Sequence, residues 1–196
     1  MSIFQLIMLA LAAFFAYQVY MHIQNIDEDE EPEFMREVHE IEEAEVLPSF
    51  DERIEEADQA YMDDEIQKAK ELLEGIVKDF PSVAEGMNKL AFVLSKLDEK
   101  DEALLYYRAS LRIDANDDMT HNAIARLLVS MDKYDEAQEH YESAIKIDDN
   151  DETTWFNYAM LMLSLGKIAQ AKEMFEKAIS INPDLEEAKE ELERLQ

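Results

Sequence analysis

Residues 152–185 read ETTWFNYAMLMLSLGKIAQAKEMFEKAISINPDL, and Trp155, Ala159, Gly166, Ala171, Phe175, Ala178 and Pro183 mark out a frame within them. The same frame recurs 34 residues earlier, and again before that. Ala171 falls on Ala137, Ala103 and Ala69; Ala159 falls on Ala125, Ala91 and Ala57. Phe175 falls on Tyr141, Tyr107 and Leu73, and Pro183 falls on Asp149, Ala115 and Pro81. A fixed period of this size means one supersecondary unit copied several times.

Within a copy the apolar positions recur at helical intervals, as in Ala171, Met174, Phe175, Ala178 and Ile179. Gly166 splits the copy into two helices, because a helix C-terminus favours a residue free to take positive φ. Alanines at the eighth and twentieth positions let two helix backbones approach closely. The large side chain at the twenty-fourth position fills the space between neighbouring pairs. Pro183 closes the unit, since a helix cannot run through it.

This pattern resembles the tetratricopeptide repeat, whose signature is Trp, Leu-Gly, Tyr, Ala, Phe and Pro over a unit of the same length. The resemblance spans residues 50–83, 84–117, 118–151 and 152–185. The copies depart from the signature in places: Tyr158, Ala159 and Met162 replace Leu, Gly and Tyr, and His121 stands where Trp is usual. In the first copy Arg53 and Glu56 occupy two normally apolar positions. The resemblance implies an all-α, right-handed solenoid of about four helix-turn-helix repeats over 49–185, used as a binding scaffold. Residues 186–196, with Ala188, Leu192 and Leu195 on one stripe, read as a charged capping helix.

Ahead of the repeats lie two other materials. Ile3–Ile23 contains no Asp, Glu, Lys or Arg. A helix of that length would span about 31 Å, enough for a bilayer core. Tyr17 and Tyr20 sit where interfacial aromatics belong. No Lys or Arg precedes the run, which favours an uncleaved anchor over 1–24 rather than a signal peptide. Residues 25–48 form an acidic linker, with eleven acidic residues and one Arg between Asp27 and Pro48. Glu33–Val46 could form a short amphipathic helix within it. The acidic run after the span favours leaving the repeats on the non-cytoplasmic side of a membrane negative inside, of the bacterial inner-membrane type.

Forty-seven acidic residues against 18 basic ones give a net charge of −29, which argues against nucleic acid, because phosphate binding needs a basic surface. There is no cysteine, so disulfides and thiolate metal sites are excluded. The turns at 114–118 and 148–152 are rich in Asp and Asn but lack the Gly and Glu of a calcium loop, and they read as helix N-caps instead. No phosphate loop, nucleophile elbow or metal-ligand spacing is present. The four histidines read as scattered surface or structural residues. The expectation is a protein with no catalytic residue, no metal and no cofactor.

The resemblance implies a concave groove lined by the first helix of each repeat, at positions that share one helix side. On that basis Lys89, Phe92, Lys96, Asn122, Arg126, Phe156, Asn157 and Met160 are the candidate protein-binding residues. Lys89, Lys96 and Arg126 are expected to surround Phe92, with Asn122 as a donor to a peptide backbone and Phe156 and Met160 as an apolar anchor site; the alternative is that these cations balance Glu85 and Asp58 across the groove. Lys89, Asn122 and Arg126 do not reproduce the arrangement by which some relatives clamp acidic chaperone tails. The reading is a single-pass membrane adaptor that binds protein segments and supports assembly of a complex. The alternatives are a homo-oligomeric structural subunit, or a regulator of envelope biogenesis or protein translocation.

Overall fold

The computed structural model describes residues 49–195, which form nine α-helices and no strand. The expected anchor over 1–24 and the acidic linker over 25–48 lie outside the described residues. No helix among the described residues is long and apolar enough to cross a membrane.

The period sets the helix starts. The inner helices are α1 (Phe50–Met62), α3 (Ala84–Lys96), α5 (Asp118–Ser130) and α7 (Glu152–Ser164). The outer helices are α2 (Ile66–Asp79), α4 (Lys100–Ile113), α6 (Tyr134–Ile147) and α8 (Ile168–Ile181), and α9 (Glu186–Arg194) follows them. Three of the inner helices start on side-chain caps. Ser49 and Glu52 make a reciprocal capping box at α1. Asp117 accepts from the Thr120 N–H, and Asp151 from those of Thr153 and Thr154. The acidic turns are therefore caps, as their composition suggests. The box at α1 gives the first copy a defined helix start despite Arg53 and Glu56.

Each inner helix is followed, at the same place in the period, by a residue with positive φ: Asp64 (62°), Asp98 (63°), Asp132 (58°) and Gly166 (72°). Only the last copy uses glycine. Asp tolerates this region better than most side chains, which keeps the turn geometry constant without it.

The core runs as one continuous seam. Ala57, Ala91, Ala125 and Ala159 are buried, as are Ala69, Ala103, Ala137 and Ala171. Leu73, Tyr107, Tyr141 and Phe175 fill the space between pairs. Leu90, Leu94, Ile124, Leu128, Leu161 and Met162 are fully buried, each contributing about 1.5–3 kcal/mol of transfer free energy. Each helix packs chiefly on its neighbours in the chain, and α3, α5 and α7 also touch one another in sequence. Helix α9 packs on α8 and buries Ala188, with Leu192 and Leu195 against the core. The first copy departs from this regularity: Arg53 reaches out to Asp79 at 2.6 Å and lies over the Phe80 ring.

Candidate functional site

The inner helices leave two adjoining cavities along their shared face. The larger, about 610 Å³, lies between α1, α3 and the start of α5, and takes in Asp58, Tyr61, Glu85, Asn88, Lys89, Phe92, Asp117 and Met119. The smaller, about 240 Å³, lies between the C-terminal halves of α3 and α5 and takes in Phe92, Ser95, Lys96, Arg126 and Ser130. Phe92, Tyr107 and Ala123 belong to both. Phe92 is 38% exposed and Met119 is 74% exposed, so the floor of the groove presents apolar surface to water. Phe92 is held by Tyr61, ring centroids 5.3 Å apart, and the Lys96 ammonium sits over its ring, 5.0 Å from the centroid.

The candidate residues separate on this frame. Lys89 does not join the other two cations around Phe92. Its ammonium bonds both carboxylate oxygens of Asp58, at 2.8 and 2.9 Å, and approaches Glu85 at 3.8 Å. This is the alternative the sequence offered for Lys89, a cation balancing Asp58 and Glu85 across the groove. Lys96 and Arg126 line the smaller cavity together. Among the described residues neither has a carboxylate within salt-bridge distance. Asn122 is buried and accepts a hydrogen bond from Asn157 Nδ2 at 3.2 Å, so its carbonyl is already engaged. Phe156 packs on Phe175, centroids 5.7 Å apart, and Met160 is exposed; neither lines the two cavities.

Asn88 donates to the Asp117 carboxylate at 3.1 Å, while its Oδ1 is buried with no partner. Asn88 itself lines the larger cavity. Tyr107 reaches the groove floor from an outer helix. Burial pushes its hydroxyl up to about 12, with the Arg126 guanidinium pulling the other way. Tyr107 therefore remains neutral across the physiological range.

Residues 83–113 and 128–195 each match a family model described as tetratricopeptide repeat. The helix pairs within those residues match the tetratricopeptide repeat. Among solved structures, PilF of Pseudomonas aeruginosa is 25% identical with a TM-score of 0.69, over 74% of this chain and 67% of that one. MamA of Desulfovibrio magneticus RS-1 is 13% identical with a TM-score of 0.67, over 74% of this chain and 82% of that one. YrrB, described as a TPR protein with an unusual peptide-binding site, is 22% identical with a TM-score of 0.61, over 67% of this chain and 68% of that one. No curated protein sequence matches the chain.

The tetratricopeptide frame also brings together two histidines that sequence spacing had left apart. His121 stands at the position the repeat usually gives to Trp, and its Nδ1 lies 2.9 Å from Nδ1 of His140 on α6. One Nδ1 must donate and the other accept, so the pair requires at least one neutral ring. Burial lowers His140 to about 4, helped by His121 and Arg108 and opposed by Glu136. No third metal-ligating side chain completes this pair among the described residues. The separation of 19 residues is neither a helical interval nor one period, so nothing in the sequence signalled the contact.

Proposed function

We propose that this chain is a membrane-anchored tetratricopeptide adaptor that holds a segment of a partner protein in the groove between α1, α3 and α5. One observation carries the reading: Phe92 and Met119 present apolar surface inside a cavity of about 610 Å³ between the inner helices. A concave apolar floor with a few convergent polar groups is the usual form of a binding site. The peptide-binding site named for YrrB is consistent with it. The membrane part rests on the uncharged stretch Ile3–Ile23, with the repeats on the non-cytoplasmic side.

The test combines capture and fractionation. The full chain, taken from native membranes in mild detergent, should capture a defined partner set. The double change Lys96→Glu with Met119→Glu, both at exposed positions, should lose that set while the helical signal stays unchanged. Retention of the same partners sinks the groove reading. Deleting residues 1–24 should release the chain from membranes, and reporters fused after Gln196 should be active only outside the cytoplasm. A mass measurement on the detergent-free fragment reads self-association directly.

A further inference from the structure

The two cavities differ in sign. The larger holds the carboxylates of Asp58, Glu85 and Asp117 against the single ammonium of Lys89. The smaller holds Lys96 and Arg126 and no carboxylate. Phe92 belongs to both, so the apolar floor is continuous across the change of sign.

From this polarity we infer that the groove selects an extended peptide of mixed charge, with a basic side chain entering the Glu85–Asp117 end, an apolar one on Phe92, and an acidic one between Lys96 and Arg126. The inference rests on the groove reading above and specifies its ligand. Spacing follows from the helix. Glu85 and Lys96 are 11 positions apart on α3, roughly 16 Å of axis at about 1.5 Å per residue. About five residues of extended chain cover that distance.

The net charge of −29 sharpens the selection. A wholly acidic peptide is repelled by the molecule at large, and a wholly basic one meets Lys96 and Arg126 at the far end. Discrimination by unmatched like charges is how an interface rejects wrong ligands as well as accepting the right one.

The experiment uses the full chain in detergent and fluorescein-labelled peptides of Ser and Gly around a central Leu. One pair carries Lys and Glu about five residues apart, in the two possible orders; the controls carry Lys at both places or Glu at both. Anisotropy should show one mixed order binding about tenfold or more tightly than either like-charged control, with the margin shrinking as salt rises. Lys96→Glu with Arg126→Glu should turn the preference toward the Lys–Lys peptide. Glu85→Lys should turn it toward the Glu–Glu peptide. These residues are exposed, and circular dichroism checks that each variant is folded. Peptide binding with no polarity preference, or reversals that weaken all peptides equally, overturns the inference and leaves the groove reading standing. If no peptide binds the wild type, both fail.

Discussion

Ser110 stands where the other copies carry Ile76, Ala144 and Ala178, and its hydroxyl is buried without a hydrogen-bond partner. An unsatisfied buried hydroxyl costs its desolvation without recovering a bond. Ser110→Ala should therefore raise stability by about 1 kcal/mol in chemical denaturation; a loss would mean that a bound water satisfies the group. Gly166 is the converse case. Its φ is 72° and a Cβ there meets nothing within 4 Å. Gly166→Ala should cost about 1 kcal/mol through backbone conformation alone. Asp64, Asp98 and Asp132 already carry that strain in the other three repeats. Replacing Asp64 by Gly should thus shift stability in the opposite direction from Gly166→Ala, as the same denaturation series will show. The alanines at the helix crossings were readable in advance because they repeat. The aspartates at positive φ were not, since a lone Asp is equally at home in a cap, a turn or a solvated face.

Between elements, legibility falls off. The helix pairs follow from period and apolar spacing, and the boundaries follow from caps such as Asp117 and Asp151. The side-chain contacts between helices do not. Lys89 bonds Asp58 from 31 residues away, and His121 meets His140 across 19. For Lys89 the sequence offered both Phe92 and the carboxylates of Asp58 and Glu85, and the choice between them, like the histidine contact, depends on which rotamer reaches across an interhelical gap, which a sequence pattern does not encode. Tyr107 was legible as core but not as groove floor, because it comes from an outer helix. The histidine contact has a measurable consequence. With His140 held near 4, the folded chain stays unprotonated there while the unfolded chain binds a proton around pH 6.5. The unfolded state then carries more protons, so stability falls as pH drops from about 6.5 towards 4 and levels off below. The difference in melting temperature between wild type and His140→Gln should narrow over that window. A constant difference would show that His140 titrates alike in both states.

The whole array depends on its ends as well as its repeats. Helix α9 covers the last pair, burying Ala188 and holding Leu192 and Leu195 against the core. Truncation after Asn182 should lower stability by about 1 kcal/mol or more, roughly 3 °C in melting temperature for a domain of this size. The lost helical signal should exceed that of α9's nine residues, because α8 then frays. A loss confined to α9 would mean the fourth repeat closes itself. Because helices pack chiefly on their neighbours in the chain, tension applied between Ser49 and Gln196 passes through the repeats one after another. Among the described helices, the first and the last do not pack on each other to share it. Pulled in this direction, the molecule should behave as a soft spring and then peel in steps. Each step would release 34 residues, about 115 Å of extended chain. A partner seated across α1, α3 and α5 would clamp the first three repeats together. Occupancy of the groove would then appear as one longer, later rupture in a pulling trace.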